Sequence, residues 1–160
     1  MGWKLAFGGY FVAVVGVLGF LLSAANAVRD TRATQVRDFH ARNIDCLARN
    51  VYYEARSESL LGQYAVAEVT MNRKGSLGYP KTVCEVVYQR EAFSWTGMKG
   101  LKEPSGPAWA RAHKVAQDVY YGSRPSELHG ATHYHATYVN PDWSSERERI
   151  ARIGRHVFYR

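Results

Sequence analysis

The sequence predicts an α+β fold: a mainly helical domain with a small C-terminal antiparallel sheet, preceded by an N-terminal apolar helix. Three observations carry this reading. Apolar residues recur at helical spacing along 60–73 and between Ala108 and Val119. Runs of strand composition follow at 131–139 and 155–159. Ahead of all of them, no charge occurs between Lys4 and Arg29.

The first element is that uncharged stretch. Leu5 to Ala27 is nearly all apolar or small, and its length is enough to span a bilayer. Gly8, Gly9, Gly16 and Gly19 dilute its hydrophobicity, and Ala25-Asn26-Ala27 fits the small-x-small pattern of a signal-peptidase site. Residues 1–27 are therefore expected to act as a signal peptide or a signal-anchor, taking the chain to the periplasm or cell envelope. Arg29, Arg32, Arg37 and Arg42 after the apolar run oppose this through the positive-inside tendency, but long domains translocate largely regardless of such charge. Residues 28–44, rich in arginine and poor in apolar side chains, read as a basic linker. The domain proper is expected over 45–160.

Within it, Asp45 is suited to cap a helix from Cys46 to Ala55, and Ser57 to Ser59 breaks the pattern. The next helix is expected over 60–73, with Leu61, Ala65 and Val69 on one face and Gly75 just past its end. Thr82-Val83-Cys84-Glu85 has the form of a capping box opening a short helix to about Gln89. Residues 91–106, rich in Gly, Ser and aromatics, read as a functional loop. A further helix starts at Pro107 and is stopped by Gly122. In the strand 131–139, His133 and His135 should share one face, and Tyr134 and Tyr138 the other.

Charge narrows the partners. The formal net charge of +7 suits anionic partners such as the bacterial wall or acidic lipid. No cluster of Lys/Arg with interleaved aromatics appears, so no nucleic-acid partner is expected. The 11 tyrosines and 4 tryptophans offer flat faces that suit sugar rings as well as core packing. A monomer is expected. The two cysteines, Cys46 and Cys84, fit either one disulfide outside the cytoplasm or two buried thiols.

Acid catalysis on a glycosidic bond needs a carboxyl group kept protonated near neutral pH, which burial among apolar neighbours favours. Glu54 follows Tyr52 and Tyr53 near a helix C-terminus, where the helix dipole also disfavours a carboxylate. The competing reading is an ordinary ion pair with Arg56 or Arg49. His133 and His135 suggest either substrate contacts or a zinc pair completed by His129 or His156. No HExxH or other ligand spacing supports the metal, and no metal or cofactor is expected. Gln63 and Asn72 on the second helix, Ser94 and Trp95 in the loop, and Trp143 after Pro141 are further residues that could line a sugar cleft. Surface or packing roles are the alternative for each.

Several segments, in order, resemble the SleB-type cell-wall hydrolases. They are Cys46-Leu47-Ala48 with Asn50 to Arg56, Gly62 to Ala67 with Asn72-Arg73, and Tyr79-Pro80 with Val83 to Gln89. Phe93-Ser94-Trp95, Ala131 to His135 and Ile153 to Tyr159 complete the set, which covers about 45–160. The resemblance implies a lysozyme-like catalytic domain acting on peptidoglycan, with Glu54 as catalytic acid. The candidate substrate contacts are Tyr53, Gln63, Asn72, Ser94, Trp95, His133, Tyr134, His135 and Trp143. Ser57 departs from the family pattern, which tends to have Gly there.

Glycoside hydrolysis usually needs two carboxylates. Glu58, Glu68 and Glu91 are nearby in sequence, yet none has a claim equal to that of Glu54. The expected reaction is therefore lytic transglycosylation between N-acetylmuramic acid and N-acetylglucosamine, which needs one acid. A zinc-dependent N-acetylmuramoyl-L-alanine amidase and a non-catalytic wall-binding module are the rivals. One apolar segment ahead of a bare hydrolase domain also suits a phage lysis enzyme of the endolysin type.

Overall fold

Helix α1 runs over Lys4–Ala55. The computed structural model describes residues 4–160, with side chains described at Phe20 and over 22–160. Much of the segment expected to be an export signal or anchor therefore lies outside the described side chains. Among the described residues no helix is long and apolar enough to cross a membrane.

The expected linker is helical instead. No glycine or proline occurs from Phe20 to Leu61, and the arginines of 28–44 alternate with Ala, Gln and other residues that helices accept. Polar composition was a poor guide here because nothing in the stretch breaks a helix. Asp45 consequently caps nothing: it sits inside α1 and accepts a 2.9 Å hydrogen bond from Arg49 Nε.

The chain divides into two compact units, 1–40 and 41–160. Over 22–39 the first presents exposed helix, where Thr31 and Thr34 turn their hydroxyls back onto the carbonyls of Ala27 and Asp30. The second holds the core and everything that follows. It begins before Asp45: Asn43 and Ile44, expected in the linker, are buried in it.

Helix α2 (Leu60–Gly75) is its central element, with Ser59 as N-cap accepting from Gly62 N. Every residue from Gly62 to Thr70 is buried, the pattern of a helix surrounded on all sides. One face meets Leu47, Ala48 and Val51 of α1 through Tyr64 and Ala67, together with Val83, Val87, Val115 and Ala116. The other face, Ala65 and Val69, meets Leu128, Ala131 and Phe158. Leu61, expected on the buried stripe, is exposed. Helix α3 (Val83–Val87) has the capping box read from Thr82 and Glu85. Asn43 Oδ1 also accepts from Val83 N at 2.8 Å. Cys46 and Cys84 are joined as a disulfide with Cα atoms 5.2 Å apart, tying α1 to α3. Helix α4 (Gly106–Tyr120) opens with Pro107 in its first turn, as its sequence suggested.

The sheet has the order β1-β3-β2, all antiparallel. Strand β1 (His133–Ala136) pairs with β3 (His156–Tyr159), the partner expected from sequence. Strand β2 (Arg149–Ile153) was not anticipated, because its arginine-interrupted pattern hides a strand at the sheet edge. Tyr138 lies past the end of β1 and is exposed, so it does not share a strand face with Tyr134.

Candidate active site

Glu54 occupies the last turn of α1 and is half-buried. The Tyr134 hydroxyl donates a 3.0 Å hydrogen bond to its Oε2. Three residues of α2 hold β1 where this bond can form. Glu68 accepts from Ser126 Oγ, Glu127 N and Leu128 N, each at 3.0 Å. Asn72 Nδ2 donates to the carbonyls of Leu128 and Ala131, and Arg73 Nε donates to that of Thr132 at 2.7 Å. The chain entering β1 is thus pinned residue by residue. Tyr134 then packs against Phe158 and, edge-on, against His156.

Burial pushes the Glu54 carboxyl above its ordinary value, while the Tyr134 hydrogen bond and the Arg73 charge pull the other way. Burial and the adjacent Glu54 also hold the Tyr134 hydroxyl well above its usual value, so it stays a donor. The ion pair anticipated as the competing reading is not formed. Arg56 lies over the Tyr52 ring at 5.0 Å, and Arg49 is taken by Asp45 and Glu103.

Tyr134 also forms part of a cleft of about 360 Å³. The turn after α3 gives it Gln89, Arg90, Glu91 and Ala92; β1 gives His133 and Tyr134; Arg73, Tyr79 and Trp143 close it. Glu54 is not among the lining residues, and its link to the cleft is the hydrogen bond from Tyr134. His133 and His135 share the face of β1 expected of them, with Trp143 5.4 and 5.8 Å from their rings. Burial, then the charges of Arg147 and Arg73, lower His133 to about 4. His135 Nε2 is bonded to the Tyr159 hydroxyl at 2.9 Å.

The zinc arrangement fails on geometry. By the register Ala136↔His156, His156 lies on the opposite sheet face, and its ring packs on Tyr134 and Phe158. His129 is exposed outside the sheet. Among the described residues no three His, Cys, Asp or Glu side chains gather to hold a metal ion.

Of the other residues read from sequence, several have packing roles. Trp95 is buried, stacks on Tyr53 at 4.6 Å and donates to Asn50 Oδ1 at 2.9 Å, so it is no exposed shelf for a sugar. Tyr53 is further held by a bond from its hydroxyl to the Lys102 carbonyl. Gln63 is fully buried and donates to the Glu58 carbonyl, away from the cleft lining. Asn72 serves the 128–131 segment, and Ser94 is an exposed residue opening a short 3-10 turn. His133, Tyr134 and Trp143 are the three brought to the cleft.

Sequence reasoning missed Arg73, Tyr79 and the 89–92 turn as cleft residues. Arg73 and Tyr79 did stand in the recognised segments, but nothing in their spacing marks them as facing a site. Glu91 has a backbone signal that only structure reveals: φ of 64°, a left-handed conformation that costs a non-glycine residue about 1 kcal/mol or more.

Residues 57–159 match the cell wall hydrolase family. The chain belongs to that family. Cell wall hydrolase relatives include the spore cortex-lytic enzyme of Halalkalibacterium halodurans, 35% identical over 133 residues, covering 79% of this chain and 38% of that protein. The spore cortex-lytic enzyme of Bacillus cereus is 32% identical over 139 residues, with 83% of this chain and 50% of the relative covered. The chain thus spans half or less of the length of these relatives.

Solved cell wall hydrolase domains share the fold. The crystal structure of the catalytic domain of the Bacillus cereus SleB protein superposes with a TM-score of 0.61 at 31% identity, covering 74% of this chain and 89% of that one. The catalytic domain of the germination-specific lytic transglycosylase SleB from Bacillus anthracis gives 0.60 at 30% identity, with 74% and 93% covered. A mainly helical domain with a small antiparallel sheet is therefore common to all three.

Proposed function

We propose that this chain cleaves the glycan strand of peptidoglycan between N-acetylmuramic acid and N-acetylglucosamine as a lytic transglycosylase, with Glu54 as its acid and base. The observation that carries the reading is the half-buried Glu54, its carboxyl raised by burial and hydrogen-bonded by Tyr134 beside the cleft. The relationship to a domain described as a lytic transglycosylase adds support.

In the first half of the reaction, protonated Glu54 gives its proton to the oxygen leaving muramic C1. In the second, the resulting carboxylate takes the proton of the muramic C6 hydroxyl as that oxygen bonds to C1. The product carries a 1,6-anhydro ring, Glu54 is protonated again, and no water is consumed. Among the nearby carboxylates, Glu58 is bound to Arg155 and Glu68 to the 126–128 segment, so neither stands ready to activate water, and Glu91 in the cleft lining is the carboxylate a hydrolytic mechanism would have to use.

Residues 5–27 would hold or export the enzyme at the envelope, in the manner of a signal peptide or of the signal-anchor of a phage endolysin. The basic chain would be drawn to the anionic wall as a monomer. Cell fractionation checks the anchor: recovery solely as a cleaved soluble form would remove it. Mass spectrometry of digested wall checks the chemistry. The expected products end in 1,6-anhydromuramic acid; reducing muramic ends without anhydro sugar would mean hydrolysis instead.

A further inference from the structure

The 89–92 turn carries a feature the proposed reaction leaves unused. Ala92 N donates to the Gln89 carbonyl at 3.0 Å, closing a four-residue turn whose third position is Glu91. That position has φ of 64°, and turns of this kind favour glycine there. Among the described residues Glu91 is the single non-glycine residue in the left-handed region. Its side chain is exposed, lines the cleft, and has no hydrogen-bond or ion-pair partner among the described residues. Glu58, Glu68 and Glu85 are by contrast all engaged within the fold. Strained backbone of this sort gathers at ligand sites, where the geometry serves contact with the ligand.

The chemistry of the cleft says what contact is needed. Arg73 and Arg90 are donors only, and an ionised carboxylate is an acceptor only. Acetylated amino sugars present amide N–H and hydroxyl donors as well as acceptors, and Glu91 is the charged acceptor in a lining whose other side-chain acceptors, such as Gln89 and Tyr79, are neutral. We propose that Glu91 is a substrate-contacting, specificity-determining residue. Its carboxylate accepts hydrogen bonds from the N–H and O–H donors of an N-acetylated amino sugar lying between the 89–92 turn and Trp143. This rests on the glycan-cleaving reading given above.

The test is binding of soluble N-acetylglucosamine–N-acetylmuramic acid strands to the full-length Glu54→Gln protein, followed by calorimetry so that no cleavage intervenes. Adding Glu91→Ala removes the carboxylate, Glu91→Gly removes it and the backbone strain together, and Glu91→Gln keeps an amide acceptor. Ala and Gly are expected to weaken binding about tenfold, the worth of a charged hydrogen bond, with Gln between them and the parent. The Gly variant should melt no lower than the parent, which guards against a folding defect. Ala and Gly variants that bind as tightly as the parent would overturn the role of Glu91 alone. Strands that fail to bind even the parent would overturn the glycan reading and this contact with it.

Discussion

The Tyr134 hydroxyl donates to Glu54 Oε2 across 3.0 Å, joining the end of α1 to the middle of β1. Burial favours the neutral carboxyl and this bond favours the carboxylate, so the two effects set the group against each other. The proposed role, in which Glu54 gives a proton and then takes one, would be served by such opposition. Tyr134→Phe removes the donor while leaving the ring on Phe158 and His156. Glu54 should then titrate higher. If Glu54 is the acid proposed here and must be protonated to act, the alkaline limb of the pH profile of kcat/KM should move to higher pH, with kcat reduced about tenfold. An unmoved limb would show that the hydroxyl does not tune Glu54.

Glu54→Gln keeps the shape of the side chain and removes its proton. Lytic activity should fall at least about a hundredfold in zymography and turnover assays. Stability should move the other way. The folded-state value is raised, so between the ordinary carboxylate value and the raised one the native state binds more protons than the unfolded state. Stability from this group is therefore lost as pH rises through that window. At pH 7 the Gln variant should melt at or above the wild type. A folded variant that still lyses wall would end the assignment.

What was legible in sequence at Glu54 is a carboxyl that is hard to ionise, from two tyrosines and a helix end, whereas its role as acid came from the family resemblance. Its partner was half legible: the alternation in β1 put Tyr134 opposite His133 and His135, but not against Glu54. That contact depends on Glu68, Asn72 and Arg73 pinning 126–132, and bonds from one helix to a distant backbone leave no local periodicity. The choice between shelf and packing roles for Trp95 was not legible for a related reason, since its indole partner Asn50 is 45 residues away in the chain. The conformation of 28–44 was not legible for another reason: arginine content signals solvent exposure, and an exposed segment can still be helix.

His133 offers a check on the electrostatics of the cleft. Burial and the nearby charges of Arg147 and Arg73 lower it to about 4, so it should stay neutral through the working range. A nuclear magnetic resonance titration should give a midpoint far below 6.5, and Arg147→Ala should raise it. The unfolded chain takes up this proton first as pH falls, so its contribution to stability, present above 6.5, is lost between 6.5 and 4. A midpoint near 6.5 in the native protein would mean that His133 is open to water and the cleft wider than described.

Asn50 is fully buried, and both ends of its amide are bonded. Its Oδ1 accepts from Trp95 Nε1 at 2.9 Å and its Nδ2 donates to Thr70 Oγ1 at 3.1 Å. Asn50→Ala leaves a buried indole N–H without an acceptor and opens a small void. The cost should be about 2–4 kcal/mol in urea unfolding. Because Tyr53 stacks on Trp95, the 94–97 turn should loosen and Trp95 emission shift to the red. A loss under about 0.5 kcal/mol would mean that water replaces the amide.

The disulfide between Cys46 and Cys84 closes a loop spanning 38 residues of sequence. Its anchor on one side is the buried part of α1; on the other it is α3, a helix of five residues too short to stand alone. Asn43 and the capping box hold the start of α3, while the disulfide fixes its first turn against α1. Cutting that link frees the unfolded chain as well, an entropy worth about 3–4 kcal/mol for a loop of this length. The double variant Cys46→Ala/Cys84→Ala should lose about that much in urea unfolding, and dithiothreitol should lower the melting temperature of the wild type but not of the variant. Glu54 and Tyr134 belong to other contacts, so activity measured well below the melting point should survive. If instead lysis were abolished while the variant remained folded, the disulfide would be what holds the cleft-lining turn after α3, with Gln89, Arg90 and Glu91, in its working position.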